Sequence, residues 1–257
     1  MPDVATLNAL LEHVVSTARS AGRVILDIYA TDFEVCMKGD DSPVTAADTR
    51  AEAVIVSMLA QVTGDIPVVA EETAAAGQAA ADQRFWLIDP LDGTREFISR
   101  NGEFTINIAL IERGIPILGV VFAPALDRLF AGAIGTGAFV EEGGLRRSIH
   151  TRQPPARGLT VVASRSHGDP ETLATFLQGY PISELKFVGS SLKLCLIAAG
   201  EADLYPRLGR TMEWDIAAGH AVLTAAGGQL YSLTGEPLYY GKAGFENPHF
   251  IARGSKD

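Results

Sequence analysis

The chain has 257 residues, 47% hydrophobic and 20% charged, a composition that supports a sizeable buried core and excludes disorder. With 31 acidic against 21 basic residues the net charge is −10, which argues against a nucleic acid polymer or an anionic membrane bound through a basic patch. Two distant cysteines, Cys36 and Cys195, exclude a disulfide framework and a zinc site. Charges break every apolar segment short of the roughly 18 residues that span a bilayer, and no signal-peptide pattern opens the chain, so a reducing cytosol is the expected compartment.

Leu7, Leu10, Leu11, Val14, Val15, Ala18, Ala21 and Ile25 recur at helical spacing and predict an amphipathic helix over 6–29. The turn cluster Gly39, Asp40, Asp41, Ser42 and Pro43 predicts a loop or hairpin across 31–45. Thr45 and Asp48 have the form of a capping box opening a second helix to about Leu59, and a cap alone would account for Asp48. Short runs of Val, Ile and Phe predict strands at 67–70, 85–89, 104–111 and 119–122, with a small, polar, mobile connection at 74–82. The Gly-, Arg- and Pro-containing stretch 143–157 separates an N-terminal half, 1–150, from a C-terminal half, 151–257. In the second half, strands at 159–163, 184–188 and 202–205 alternate with helices at 169–178, 190–199 and 214–226 before terminal strands, an α/β pattern.

The chemistry concentrates in 85–94, where an apolar strand runs into Asp89 and Pro90 and Gly93 force a tight turn. Asp89 and Asp92, three apart, can converge with the carbonyl of Leu91 between them, an oxygen-only donor set suited to Mg²⁺. The plainer alternative is that both aspartates cap a helix starting near Thr94. Glu71 and Glu72 end another strand, where paired glutamates repel unless a cation or solvent intervenes, and Asp215 follows Trp214 at the start of a helix. Each also reads as solvated charge or an N-cap, but three strand-end or helix-start acidic sites in one chain are harder to dismiss together.

Three of these segments, the Glu71-Glu72 pair, DPLDGT at 89–94 and WDIAAGHAVLTAAGG at 214–228, resemble the inositol monophosphatase superfamily of Mg²⁺-dependent, lithium-sensitive phosphatases. Within it, REF and NGEFT in 89–124, SRSH at 164–167, GSSLK at 189–193 and ADLYPR at 202–207 are similar to the bacterial 3′(2′),5′-bisphosphate nucleotidase branch. The resemblance runs from about Asp3 to Phe250, with departures at Arg95, Arg210 and Ile216. Of these, Arg210 bears on the loop leading to Asp215 and on fine substrate preference.

The resemblance implies a layered α/β/α/β/α sandwich of the inositol-monophosphatase and fructose-1,6-bisphosphatase type, with the site between the halves. It implies two to three Mg²⁺ ions held by Glu71, Asp89, Asp92, Asp215 and the carbonyl of Leu91, with Asp48 and Thr94 activating the attacking water and Glu71 assisting. The amides of Gly93 and Thr94 would hold the phosphate, since helix N-termini favour anions. Ser164, His167, Ser190, Ser191, Lys193 and Arg207, with Asp215, would contact the rest of the nucleotide, Lys193 and Arg207 holding its second phosphate. Without the resemblance, Lys193 would read as a helix-surface lysine and Arg207 as part of an inter-strand ion pair. Lys38 would cover the metal site from its loop or stand solvated.

The implied activity is hydrolysis of adenosine 3′,5′-bisphosphate to AMP and phosphate, which clears a by-product of sulfate assimilation. An inositol or sugar phosphatase on the same scaffold is the alternative, and an inert Mg²⁺ or nucleotide sensor is the alternative of another class, disfavoured by the complete water-activating pair. The expected partner is a small phosphorylated molecule. A homodimer and peripheral association with the inner membrane stay open.

Overall fold

Helix α1 (Val4–Tyr29) opens where Asp3 accepts the N–H of Thr6 at 3.0 Å, and it buries the apolar stripe read from the sequence. The computed structural model describes residues 3–37, 43–74, 83–166 and 168–255. Strands β1 (Val35–Met37) and β2 (Pro43–Thr45) pair antiparallel as the expected hairpin. Residues 38–42, with Lys38, Asp40 and Asp41, lie outside the described residues. Helix α2 (Ala46–Thr63) follows with the Thr45–Asp48 capping box in place.

A seven-stranded sheet comes next, in chain order: β3 (Val68–Ala70), β4 (Arg84–Asp92), β5 (Thr105–Glu112), β6 (Ile115–Ala123), β7 (Arg128–Ala133), β8 (Gly137–Glu142) and β9 (Leu145–Ile149). Only the β3–β4 pair is parallel. A short helix α3 (Thr94–Ile98) joins β4 to β5. Beyond Ile149 a five-stranded sheet in the order β11-β10-β12-β14-β13 is built from β10 (Leu159–Ser164), β11 (Ile182–Val188), β12 (Leu204–Arg207), β13 (Gln229–Ser232) and β14 (Phe250–Arg253). Helices α4 (Pro170–Phe176), α5 (Leu192–Ala198) and α6 (Glu213–Ala225) complete the chain.

Alternation along the strands fixes the layers. Trp86, Ile88, Ile106, Ile108, Leu110 and Val120 pack under α1 and α2, while Phe85, Leu87, Ala109, Ile111 and Val121 face α5 and α6. Those two helices rest on Val162, Tyr205, Leu230 and Phe250 of the second sheet, whose other face is covered by Leu173, Phe176 and Leu177 in and after α4. The result is the expected α/β/α/β/α sandwich. Helix α6 crosses β6 so closely that a Cβ on Gly119 would stand 2.3 Å from the carbonyl oxygen of Ala218, and that approach brings Asp215 onto the first sheet.

The structure departs from the sequence expectation at two segments. Within 143–157, read from the sequence as the boundary between halves with no strand assigned, Leu145–Ile149 is strand β9, entered through Gly143 and Gly144 at φ 57° and 75°. Strands β7 and β8 were not anticipated because glycines at 132, 135 and 137 interrupt their apolar pattern. The expected connection at 74–82 lies, apart from Ala74, outside the described residues. Among the described residues no helix is long and apolar enough to cross a membrane.

Candidate active site

The turn expected after Asp89 is a bulge inside β4. Asp89 pairs with Asn107 and Asp92 with Thr105, so Pro90 and Leu91 form an excess in the strand, where a residue without an N–H is tolerated. Asp89 stabilises the bulge by accepting the N–H of Leu91 at 3.0 Å. The capping alternative fails at this point, because α3 is capped by Gly93 in a left-handed conformation and receives no side-chain bond.

Glu71 follows β3, and its N–H bonds to Ile88 of β4 at 3.1 Å, which puts its carboxylate beside Asp89. Asp215 arrives from α6, where it accepts the N–H of Met212 at 2.8 Å. Glu71, Asp89, Leu91, Asp92 and Asp215 line one cleft of about 530 Å³ between the halves, together with Gly93, Thr94, Ser164, Ser190, Ser191, Lys193 and Arg207. Asp48 is reached through Thr94, whose hydroxyl stands 3.5 Å from both an Asp48 oxygen and the Leu91 carbonyl. The second Asp48 oxygen accepts both the N–H and the hydroxyl of Thr45 at 2.8 Å, so the cap and the contact to the cleft use different atoms of one carboxylate. His167 lies outside the described residues.

Burial and mutual repulsion dominate the electrostatics. Burial, and then the charges of Glu71, Asp92 and Asp215, push Asp89 well above the usual carboxylate range. Burial followed by Asp92 raises Asp215 to about 8. Burial also raises Asp92, opposed by the Lys193 charge and the Ser191 hydroxyl, and raises Asp48, opposed by its bonds from Thr45.

Four acids whose ionised forms repel one another in a buried cleft, with a backbone carbonyl among them, match a hard divalent cation in donor type and charge. Among the described residues no three acidic, His or Cys side chains are drawn together into a finished metal cage. Protein donors satisfy the carboxylates instead: the Leu91 N–H for Asp89, the Ser191 hydroxyl at 3.0 Å for Asp92, and the Met212 N–H for Asp215. In donor type and charge, Glu71, Asp89, Asp92, Asp215 and the Leu91 carbonyl are the groups that would hold such a cation.

Lys193 is no surface lysine. It is buried, its ammonium donates to the carbonyls of Val188 (3.2 Å) and Ser190, it lies 5.4 Å from the centre of the Tyr205 ring, and burial lowers it to about 8. Arg207 is also buried and donates to the Arg210 carbonyl at 2.7 Å. Asn107 is a site residue that the motif reading misses. Wholly buried on β5, it donates to the Ser191 hydroxyl at 2.9 Å and so holds the group that bonds Asp92, while its own oxygen has no protein partner. A polar residue in an otherwise apolar strand, TINIALIE, is the pattern that could have revealed it.

The model of the Inositol monophosphatase family matches residues 6–253. The 3′(2′),5′-bisphosphate nucleotidase CysQ of Salmonella typhimurium is 50% identical over 94% of this chain and 98% of its own. The protein of the same name from Escherichia coli K12 is 48% identical over the same shares. Among solved structures, CysQ from Bacteroides thetaiotaomicron, described as a bacterial member of the inositol monophosphatase family, superposes with a TM-score of 0.85 at 37% identity over 97% of this chain and 98% of that one. With the match running nearly end to end, the chain belongs to the inositol monophosphatase family, whose phosphatases are metal dependent, typically on Mg²⁺.

Proposed function

We propose that the protein is a 3′(2′),5′-bisphosphate nucleotidase that hydrolyses adenosine 3′,5′-bisphosphate to AMP and phosphate. The observation that carries this is the near half identity to nucleotidases over almost their whole length, combined with a cleft lined by the acids and by the buried cations Lys193 and Arg207. Glu71, Asp89, Asp92, Asp215 and the Leu91 carbonyl hold two to three Mg²⁺ ions. When bound, these ions supply Lewis-acid polarisation of the phosphoryl group and activation of water.

The protein's own groups do the remainder. Asp48 and Thr94 orient the attacking water, and Asp48, whose proton affinity is raised by burial, takes its proton. The amides of Gly93 and Thr94 hold oxygens of the reacting phosphate. Lys193 and Arg207 meet the second phosphate, and Ser164, His167, Ser190 and Ser191 define where the nucleoside lies. No covalent phosphoenzyme is required, because water attacks directly. Incubation of the purified protein with adenosine 3′,5′-bisphosphate and Mg²⁺ is expected to give AMP and one equivalent of phosphate, and chelation is expected to stop it. Formation of adenosine 3′-phosphate, or activity undiminished by chelation, would overturn the proposal.

A further inference from the structure

The two motifs whose resemblance is to the nucleotidase branch, REF at 95–97 and NGEFT at 101–105, add no carboxylate to the proposed metal ligands. Their glutamates cross to the C-terminal half. Glu103 accepts the N–H of Gly189 at 2.7 Å and grips the Arg165 guanidinium through both oxygens at 2.8 and 3.1 Å. Glu96, which is buried, accepts the Ser166 hydroxyl at 2.5 Å. Gly189 sits against both: a Cβ there would stand 2.8 Å from the Glu103 carbonyl oxygen and 2.8 Å from Cγ of Glu96, so only glycine allows this approach.

Ser190 comes next in the chain. It adopts a left-handed φ of 46°, which a serine holds only when its surroundings impose it. The surroundings are visible: Gly189 is fixed by Glu103, the Ser190 carbonyl is bonded by Lys193, and Ser191 is bonded to Asp92. The buried Ser190 hydroxyl has no protein partner, and the residue lines the cleft beside Ser164, which directly precedes the gripped Arg165.

We infer that Glu103, supported by Glu96, is a positioning residue for substrate selection: it clamps the 164–166 and 188–191 segments at the spacing that offers Ser190 and Ser164 to a nucleoside. This rests on the nucleotidase proposal. The clamp is a charge-assisted, bidentate contact of the strong kind that makes no bond of its own to the metal ligands, Asp48 or Thr94, and reaches Asp92 only at one remove, through the Ser191 hydroxyl at the end of the clamped segment. Its loss therefore weakens recognition of the nucleoside more than phosphate chemistry.

The test measures kcat and KM for adenosine 3′,5′-bisphosphate and for inositol 1-phosphate on the unaltered protein, Glu103→Ala, Glu103→Gln and Arg165→Ala. Glu103→Ala is expected to lower kcat/KM for the bisphosphate about tenfold or more, chiefly through KM, and that for inositol 1-phosphate by no more than about threefold. Glu103→Gln keeps an acceptor for Gly189 and is expected to recover most of the preference. Arg165→Ala, at a half-exposed side chain, loosens the clamp with the glutamate intact and covers the case in which Glu103→Ala does not fold. It is expected to shift the ratio in the same direction by about threefold. Equal losses on both substrates, or an unchanged ratio in both alanine variants, would overturn the clamp while leaving the nucleotidase proposal standing. A preference of the unaltered protein for inositol 1-phosphate would overturn both.

Discussion

Asp48 does two jobs with two oxygens, and they can be separated by substitution. Thr45→Ala removes the hydroxyl that accepts from Ala47 and donates to Asp48, so it is expected to cost about 1 kcal/mol of stability and to reduce turnover by less than about tenfold. Asp48→Asn leaves an acceptor for the cap but no base, and kcat is expected to fall about 10²- to 10⁴-fold. Urea unfolding alongside steady-state kinetics checks both, and similar kinetic losses in the two variants would reduce Asp48 to its capping role. Asp89→Asn is expected to abolish turnover while the fold persists, because it removes one of several buried charges that repel one another. Activity surviving that change would contradict the metal assignment.

Among the elements, α6 matters most, because it presents Asp215 and seals both sheets. Gly119→Ala drives a methyl into the Ala218 carbonyl, and the expected cost is about 1–3 kcal/mol or more, together with weaker Mg²⁺ binding as α6 is displaced. Thermal unfolding with and without Mg²⁺ would show it. The same helix carries His220, half-buried, with its Nδ1 2.8 Å from the Tyr240 hydroxyl and its pKa lowered by desolvation to about 4. Folded His220 stays neutral while the unfolded chain takes up a proton near 6.5. Its contribution is thus complete above that pH and lost as pH falls toward 4, at most about 3 kcal/mol. His220→Gln is expected to flatten the fall in urea midpoint between pH 7.5 and 5. An identical slope in both proteins would count against it.

How much of this the sequence discloses depends on range. Helix α1 and the start of α2 follow from local periodicity and a four-residue cap, and the metal acids follow from residue type at strand and helix ends. The bulge at Pro90–Leu91 was misread as a turn because both place Asp89 and Asp92 close together, and only pairing with β5 distinguishes them. Lys193 was ambiguous because its burial comes from Tyr205 and the 188–190 carbonyls, which its helical position does not reveal. Asn107 and Glu103 act across 84 and 86 residues of chain; the strand pattern can mark Asn107 as an inward amide, but no local pattern names the partner of either residue.

At the scale of the whole molecule, a net charge of −10 repels a small anionic substrate unless something local reverses the sign. Asp48, Glu71, Asp89, Asp92 and Asp215 account for five of the acids and gather in or beside one cleft, so two to three Mg²⁺ ions, about +4 to +6, would bring it near neutrality. Stability should follow: at about a hundred times Kd, Mg²⁺ is expected to add about 2.7 kcal/mol and raise Tm by roughly 5–10 °C, a shift that Asp89→Asn should largely remove. Differential scanning calorimetry across a Mg²⁺ titration measures it, and a Tm indifferent to Mg²⁺ would leave the acidic cleft without its proposed occupant. The most direct test of the central claim is the ratio of kcat/KM for adenosine 3′,5′-bisphosphate to that for inositol 1-phosphate, measured with saturating Mg²⁺. A ratio of about 10² or more is predicted, and a ratio at or below one would contradict the account.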